Sequence, residues 1–401
     1  MKIVFATDNY WPRTSGIAAS VDAFKSELEK RGHAVFILAP HYPGSEEYDK
    51  KAGSKNVFRF HSHSIVFSRE DQLVSPLVKR RVVATLKKID PDIVHVQTEL
   101  QLGRWALNYA KKRKIPAIFT CHTYFEGYLT TYLSFIPPKS TLVLIKQAYR
   151  QLFNKADHII VPTPHMHKVL RSYGIVRPIM DIPTGILGLK KTPPSKADAR
   201  KRSALLKQYP DLANKKILLY VGRVAKEKNL EFLLRMFQKI GRKDAALLVV
   251  GDGPFKEELE GIAKDLGIHD AVVFTGYVSE ELKNEAYSIA DVFVFASKTE
   301  TQGIVTLEAM NHATPVVAIG VRGTKDVMNG DNGGYMVKDN LPEFIRKVRL
   351  LLDDPELLKK KSKQAYVYSN KWTIEASVDK LMKVYDISLK KHTQDEKGRS
   401  T

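Results

Sequence analysis

Short, strongly hydrophobic segments alternate along the chain with longer segments in which apolar residues recur every three to four positions. In the first half the short segments read KIVFAT, AVFILAP, DIVHVQ, PAIFTCH and HIIVPT. Runs of this length, rich in Val, Ile and Phe and separated by helical patterns such as Val21 to Arg31, are typical of buried strands in βαβ units. They predict a parallel sheet covered by helices.

The same alternation restarts after a segment rich in Lys, Pro and Ser at residues 188–216. A second series of strand-like segments follows, with the sequences KILLYVGRV, AALLVVGDG, AVVFTGYV, DVFVFAS and TPVVAIG. The length of the chain also favours more than one hydrophobic core. We therefore predict an α/β protein with two doubly wound domains in tandem, whose ligands bind at the carboxyl ends of the strands.

Composition and cysteine content favour a globular cytoplasmic protein. The chain is 43% hydrophobic and 9% aromatic, and no segment approaches the roughly 20 consecutive apolar residues of a membrane-spanning helix. We interpret the first residues, MKIVFATDNYWP, as a strand rather than a signal peptide. The single cysteine, Cys121, excludes an internal disulfide and a multi-cysteine metal site, and it fits a reducing compartment.

The chain is strongly basic, with 64 Lys and Arg residues against 44 Asp and Glu and a net charge of +20. Residues 1–182 hold 27 basic and 15 acidic side chains, so this part carries the larger excess. Such a charge attracts nucleic acid or anionic lipid. Because no RNA- or DNA-binding motif accompanies it, we expect no nucleic-acid partner, and no obligate protein partner is evident.

Two cations follow the first strand of the second series. The segment VGRVAKEKNLEFLL places Arg223 and Lys228 five residues apart around a predicted helix start. Two fixed cations there could clamp a diphosphate, by point charge and by bidentate hydrogen bonding. A solvated basic turn is the alternative interpretation of such a pair.

Two glutamates flank another predicted helix start, in the segment SKTETQGIVTLEAM. Glu300 ends a loop after a strand, and Glu308 lies on the helix that follows. The residues between them, from Thr301 to Ile304, would present backbone N–H groups suited to a phosphate, while the carboxylates accept hydrogen bonds from hydroxyls. This pattern predicts a site for a phosphorylated polyol, and simple helix caps are the alternative.

Two segments of the first half also follow strands. In NYWPRTSGIAASVDAF, Gly16 opens a helix and would let backbone N–H groups approach an anion. This turn lacks the G-x-G-x-x-G fingerprint and does not suggest a nicotinamide enzyme. In FTCHTYFEGYLT, His122 follows a strand directly, although a lone histidine is commonly structural. Its polar and aromatic neighbours are Tyr124, Phe125, Glu126 and Tyr128.

Together these segments resemble the retaining GT-B glycosyltransferases of family 4, and they are most similar to diacylglycerol glucosyltransferases. The resemblance extends over nearly the whole chain, through SGI, HVQTELQLG, TCHTYFEGY, ADHIIVPTPHMHKVL, IPTGI, VGRVAKEKNL, GDGP, TGYV and the E-x7-E segment, in family order. One departure is Ser15, which precedes Gly16 where the family more usually has a second glycine.

The resemblance implies a GT-B fold, in which two Rossmann-like domains face a central cleft. The N-terminal, acceptor-side domain would comprise residues 1–182 plus a returning helix at 373–391. The C-terminal domain, residues 183–372, would bind the sugar nucleotide, and residues 392–401 would form a disordered tail. It also implies an enzyme that retains anomeric configuration and uses no metal or other cofactor.

The resemblance also implies a role for each candidate residue. Arg223 and Lys228 would bind the donor diphosphate and stabilise the departing charge. Gly16 would close over the same diphosphate, and Glu308 would hold the ribose hydroxyls. The groups expected to contact the transferred sugar are Glu300, His122 and the backbone N–H groups of Gly303, Ile304 and Val305.

The resemblance to diacylglycerol glucosyltransferases favours a lipid acceptor. Basic clusters in the first half suit a protein bound to an anionic membrane surface, and they include Lys79, Arg80 and Arg81. Tyr124, Phe125, Glu126 and Tyr128 would lie on the acceptor side. We therefore expect transfer of a hexose, glucose from UDP-glucose, to diacylglycerol by an enzyme attached peripherally to the inner face of the cell membrane. The alternative is a soluble retaining transferase that acts on a sugar, a sugar phosphate or another small acceptor.

Overall fold

The computed structural model describes residues 1–65, 68–124, 138–190 and 192–397. These residues form two compact units. The first comprises the described residues of 1–185 together with 374–397, and the second comprises those of 186–373. Each unit is described by itself below.

The first unit is built on a parallel sheet. Its strands are β1 (Lys2–Ala6), β2 (Ala34–Pro40), β3 (Val57–Phe60), β6 (Ile93–Val96), β7 (Ala117–Thr120), β8 (His158–Val161) and β9 (Ile179–Asp181). Their order across the sheet is β3-β2-β1-β6-β7-β8-β9, and every neighbouring pair is parallel. Two further strands, β4 (Ser62–Ile65) and β5 (Ser68–Val74), pair with each other antiparallel.

Helices connect these strands. They are α1 (Gly16–Lys30), α2 (Ser45–Lys51), α3 (Lys79–Ile89), α4 (Gln101–Arg113), α5 (Pro138–Phe153) and α6 (Pro164–Ser172), with a 3₁₀ turn at Pro76–Val78. Every residue of β6, β7 and β8 is buried, which explains why their sequences are apolar almost throughout rather than alternating.

The second unit has its own parallel sheet. Its strands are β10 (Lys216–Val221), β11 (Ala245–Val250), β12 (Val272–Gly276), β13 (Val292–Phe295), β14 (Val316–Ile319) and β15 (Tyr335–Val337). Their order is β12-β11-β10-β13-β14-β15. β11 and β12 lie on one side of β10, and β13, β14 and β15 lie on the other. The strand order therefore reverses between β10 and β13, which is the switch point at which doubly wound sheets bind ligands.

Helices also cover the second sheet. They are α7 (Lys196–Arg202), α8 (Ala204–Gln208), α9 (Leu230–Ile240), α10 (Lys256–Asp265), α11 (Glu280–Ile289), α12 (Ile304–Asn311), α13 (Arg322–Val327), α14 (Leu341–Asp353) and α15 (Pro355–Ser369). Short 3₁₀ turns lie at Pro210–Leu212, Lys226–Lys228 and His269–Ala271. The sheet and its helices enclose a single hydrophobic cluster that extends from Ile186 to Ala365.

The last helix, α16 (Ile374–Lys397), belongs to the first unit. Its apolar side chains pack in the same cluster as Ile3 and Phe5 of β1. The helix continues beyond residue 391, where the sequence suggested a disordered tail, because the His392 ring bonds to the backbone oxygen of Lys114 at 2.9 Å and to Asp157 at 3.0 Å. These contacts secure its sixth turn to the first unit.

The chain leaves the first unit slightly later than residue 182. Ile182 is buried in the cluster that contains β1, and the hydroxyl of Thr184 lies 2.6 Å from that of Ser20 on α1. The first unit therefore includes residues up to 185. In the described part of the chain, no helix has both the length and the apolar character that crossing a bilayer requires.

Candidate active site

In the second unit, a lysine and a glutamate meet beside the switch point of the sheet. Lys228 ends the 3₁₀ turn after β10, and Glu300 follows β13. The ammonium Nζ of Lys228 lies 2.6 Å from Oε1 of Glu300, and the two side chains are 20% and 17% exposed. Burial acts against ionisation of Glu300, but Lys228 outweighs it and keeps the pKa of that carboxyl below its ordinary value. Glu300 is therefore a carboxylate at neutral pH.

Arg223 lies on the same loop and is held by other partners. Its Nη1 is 3.8 Å from Oε1 of the buried Glu227, and its backbone oxygen accepts a hydrogen bond of 2.9 Å from the hydroxyl of Tyr220. The predicted pair of cations is therefore built on one loop, although each cation contacts a different carboxylate. Such fixed cations suit a phosphate or diphosphate ligand.

The loop between Glu300 and α12 is shaped by two glycines. Gly303 is the N-cap of α12 and has φ 79°, a conformation that favours glycine. On the other side, a Cβ at Gly323 of α13 would lie 2.2 Å from the backbone oxygen of Thr301, so the two backbones touch. The N–H of Gly323 also donates to the backbone oxygen of Glu300 at 3.1 Å. Backbone contacts with α13 thus help to fix this loop.

The start of α12 holds backbone donors that the helix itself does not use. The N–H of Thr306 bonds to the oxygen of Gly303 at 3.0 Å, which begins the helical hydrogen bonding. The N–H groups of Ile304 and Val305 precede it and belong to the first turn, where donors have no acceptor within the helix. The candidate donors from Gly303 to Val305 therefore lie together at a positively polarised helix end.

Glu308 is held on α12 by residues of α11. Its Oε2 accepts a hydrogen bond of 2.8 Å from the hydroxyl of Tyr287, and its Oε1 lies 3.5 Å from the ammonium of Lys283. Burial opposes the charge of Lys283, yet Glu308 and Glu280 raise its pKa above the ordinary value. The ring of His312 stacks on Tyr287 at 5.4 Å. Glu308 is therefore a fixed carboxylate suited to bind hydroxyl groups.

In the first unit, Gly16 is the first residue of α1 and is exposed. Ser15 caps the helix, since its hydroxyl accepts from the N–H of Ala18 at 3.0 Å and donates to Oδ1 of Asn9 at 2.7 Å. No atom of the described residues lies within 4 Å of the position that a Cβ of Gly16 would take. Packing among the described residues therefore does not require this glycine.

His122 lies at the carboxyl edge of the first sheet, just after β7. Its Nε2 is 2.8 Å from Oε1 of Gln97, which directly follows the neighbouring strand β6. Burial lowers the pKa of His122 to about 4, so the imidazole is neutral at physiological pH. Tyr124 is buried nearby, with its ring 6.3 Å from that of His165. The other predicted neighbours, Phe125, Glu126 and Tyr128, lie outside the described residues.

Asp8 and Gln97 are not among the candidate residues predicted from the sequence. Asp8 follows β1 and is buried, where it accepts hydrogen bonds from the hydroxyl of Thr98 at 2.7 Å and from the N–H of Leu102 at 3.1 Å. It therefore caps α4 from a different strand, and burial raises its pKa. Their positions were the available signal, because Asp8 directly follows the predicted strand KIVFAT and Gln97 is the last residue of DIVHVQ.

The predicted basic residues Lys79, Arg80 and Arg81 open α3, and all three are exposed. The opposite face of this helix is buried, through Val82, Leu86 and Ile89. Immediately before the helix, Leu77 is 91% exposed. The helix is therefore amphipathic, with its apolar face in the core and its basic face outwards, beside one exposed apolar side chain.

Comparison with known proteins places the chain in a family. A family model described as Glycosyltransferase Family 4 matches residues 14–186, and one described as Glycosyl transferases group 1 matches residues 202–368. The alpha-monoglucosyldiacylglycerol synthase of Streptococcus pneumoniae is 32% identical over 333 residues, which are 80% of this chain and 71% of that protein. The chain belongs to the family 4 glycosyltransferases. The resemblance inferred from the motifs is thereby confirmed.

Other relatives of this glycosyltransferase match at greater length or in structure. The alpha-monoglucosyldiacylglycerol synthase of Acholeplasma laidlawii is 27% identical over 382 residues, 94% of each chain. The crystal structure of Anabaena HepE in complex with UDP-glucose has a TM-score of 0.76 at 17% identity, over 96% of this chain and 99% of that one. Sucrose-phosphate synthase from Thermosynechococcus elongatus has a TM-score of 0.74 at 21% identity, over 96% and 98%. The predicted GT-B fold with two Rossmann-like halves is confirmed.

The described part of this glycosyltransferase contains no group of three or more His, Cys, Asp or Glu side chains that could hold a metal ion. Both candidate glutamates of the second unit contact lysines. Lys228 meets Glu300, and Lys283 meets Glu308.

Proposed function

We propose that this glycosyltransferase moves glucose from UDP-glucose to diacylglycerol, with retention of anomeric configuration. The observation that carries the proposal is the similarity to two proteins named alpha-monoglucosyldiacylglycerol synthase, which match 80% and 94% of the chain. Their names specify an α-linked product. Because the glucose of UDP-glucose is itself α-linked to phosphate, forming an α-glycoside requires net retention.

Arg223 and Lys228 are our candidates for binding the donor diphosphate. Departure of the nucleoside diphosphate leaves negative charge on its terminal phosphate, and preorganised cations stabilise such charge most effectively where water is scarce. Lys228 is preorganised by its 2.6 Å contact with Glu300. In this proposal the two side chains supply the positive charge, and the reaction needs no metal ion or other cofactor.

Glu300, Glu308 and the start of α12 are our candidates for binding the rest of the donor. Glu308, held by Tyr287 and Lys283, would accept hydrogen bonds from the ribose hydroxyls. Glu300 would accept them from hydroxyls of the transferred sugar, near the N–H groups of Gly303, Ile304 and Val305. Because Lys228 contacts the carboxylate of Glu300, we assign Glu300 to sugar binding rather than to nucleophilic attack.

Retention without a covalent intermediate then requires the acceptor to approach the sugar on the same face from which the leaving group departs. We propose this front-face route, in which the leaving phosphate accepts the proton of the acceptor hydroxyl. In the first unit, we assign the helix end at Gly16 to the diphosphate and the neutral imidazole of His122 to a sugar hydroxyl.

We assign membrane attachment to the surface formed by Leu77, Lys79, Arg80 and Arg81. A basic helix face contributes about 1 kcal/mol for each Lys or Arg near anionic lipid, and an exposed apolar side chain beside it can enter the interface. All four side chains are exposed. We place the enzyme at the cytoplasmic face of the membrane, attached peripherally. Tyr124, Phe125, Glu126 and Tyr128 remain candidates for the acceptor side.

A soluble transferase with a small acceptor is the second candidate. The alpha-D-kanosaminyltransferase of Streptomyces kanamyceticus is 33% identical over 193 residues, which are 47% of this chain. Its name refers to the transfer of an amino sugar and to no lipid. The match favours this candidate less because it covers about half of the chain.

The test is release of UDP from UDP-glucose, with and without diacylglycerol, in liposomes of increasing anionic lipid content. We expect release to require diacylglycerol and to increase with anionic lipid, and the anomeric proton coupling of the product to report an α-glycoside. A variant with Leu77→Ser, Arg80→Ser and Arg81→Ser should bind these liposomes less and keep its turnover on diacylglycerol in detergent micelles. Equal release of UDP without lipid would favour a small soluble acceptor over diacylglycerol. A β-glycoside product would refute retention.

A further inference from the structure

Two polar side chains meet where neighbouring strands end in the first unit. Gln97 directly follows β6, and His122 follows β7 after Cys121. Oε1 of Gln97 lies 2.8 Å from Nε2 of His122. Gln97 is 3% exposed, and its backbone N–H donates to the oxygen of Ala6 on β1 at 2.8 Å. The glutamine is therefore anchored to the sheet independently of the histidine.

Two ionisable groups close to this pair in the chain are kept uncharged. His95, two residues before Gln97, is buried between the hydroxyls of Tyr385 and Thr120, at 2.7 and 2.6 Å, and burial lowers its pKa to about 3. Glu99, two residues after Gln97, is also buried, and burial raises its pKa to about 8, so it is protonated at neutral pH. The other ionisable groups around Glu99 are Asp8, Arg104, Cys121 and Tyr149.

We propose that Gln97 is a positioning residue, which fixes the ring orientation and the tautomer of His122. An amide oxygen accepts hydrogen bonds and cannot donate them, so an imidazole bonded to it carries its proton on Nε2. Nδ1 is then the acceptor nitrogen, the form that can receive a hydrogen bond from a sugar hydroxyl. This role rests on the proposed contact between His122 and the transferred sugar.

A glutamine suits this position better than a glutamate. A carboxylate at the same distance would favour the imidazolium, because an opposite charge within hydrogen-bond reach raises the pKa of histidine. An imidazolium has no acceptor nitrogen and would place a positive charge beside a sugar hydroxyl. The amide holds the ring by a hydrogen bond of normal length without changing its charge.

The first test is NMR of the ring nitrogens of His122 in the substrate-free protein, assigned by comparison with His122→Gln. We expect a single tautomer with the proton on Nε2. Gln97→Met should mix the tautomers, and Gln97→Glu should raise the pKa of His122 by about one unit or more. The control is Gln72→Glu, which alters a buried glutamine of the same unit that bonds to Ser64 at 2.9 Å. It should leave His122 unchanged.

The second test is the pH profile of UDP release. Gln97→Met should lower kcat/KM about tenfold, the equivalent of one hydrogen bond, with no change in the shape of the profile. Gln97→Glu should shift the acid limb to higher pH in parallel with the NMR titration. A proton on Nδ1 in the parent, or NMR changes without either kinetic effect, would overturn the proposal. Since the NMR test needs no substrate, a wrong donor or acceptor affects only the kinetic test.

Discussion

Lys228 and Lys226 lie two residues apart on one 3₁₀ turn, yet their surroundings differ. Lys228 contacts the largely buried Glu300 at 2.6 Å, whereas Lys226 pairs with Glu258 at 3.0 Å, with both side chains more than half exposed. Exposed pairs of this kind contribute little to stability. The turn thus offers a lysine that we assign to the donor site and a matched lysine outside it.

We predict that Lys228→Ala lowers kcat for UDP release about 100-fold or more, because it removes a fixed cation from the developing phosphate charge and leaves Glu300 without its ammonium partner. Lys226→Ala should stay within a few-fold of the parent. Steady-state kinetics with both variants checks the prediction, and a circular dichroism spectrum shows whether each is folded. A Lys228→Ala enzyme with nearly parental turnover would refute the diphosphate assignment.

At the scale of elements, the loop from Glu300 to Gly303 depends on its contact with α13. A methyl group at Gly323 would lie 2.2 Å from a backbone oxygen of this loop, so Gly323→Ala must displace one of the two backbones. We predict a loss of about 1–3 kcal/mol in the free energy of unfolding and a fall in activity, because the start of α12 moves with the loop. Urea unfolding and UDP release measure the two effects.

Gly261→Ala is the matched control. Gly261 lies inside α10, and no described atom lies within 4 Å of its Cβ position. Alanine is favoured over glycine in a helix by about 0.5–1 kcal/mol, so this variant should be slightly more stable and fully active. Equal behaviour of the two alanine variants would contradict the importance of the Gly323 contact.

The elements themselves could be read from the sequence more completely than the site. Buried parallel strands can be recognised in the sequence as apolar runs. Glu300 and Glu308 flank a predicted helix start within one short segment. Gln97 and His122, in contrast, are 25 residues apart and meet only because β6 and β7 are neighbours in the sheet. A single sequence does not contain strand order, so their hydrogen bond could not be predicted. The extension of α16 depends likewise on distant partners of His392.

At the scale of the whole molecule, the first unit is closed by a helix from the far end of the chain. Three histidines attach it: His95 bonds to Tyr385 at 2.7 Å, His158 to Ser388 at 2.8 Å, and His392 to Asp157 at 3.0 Å. Burial lowers the pKa of His95 to about 3 and that of His158 below its ordinary value of 6.5. At these two histidines the folded unit therefore binds fewer protons than the unfolded chain does.

This difference predicts acid sensitivity. The contribution of His95 and His158 is complete above about pH 6.5 and is lost as the pH falls towards 3, because only the unfolded chain is protonated freely in that range. These two histidines should therefore lower the midpoint of thermal unfolding as the pH falls below 6.5. His95→Gln retains a hydrogen-bonding side chain that does not titrate, so its midpoint should decrease less steeply. Parallel pH curves for this variant and the parent would contradict the prediction.

The return of α16 also determines the order in which the two units can be completed during synthesis. Residues 186–373 form a continuous segment, so the second unit can fold while the ribosome is still adding the end of the chain. The first unit cannot, because Ile374, Val378 and Tyr385 belong to the cluster that covers Ile3 and Phe5. The amino-terminal strand is therefore translated first and enclosed last, and until then one apolar face of its sheet lacks the helix that covers it.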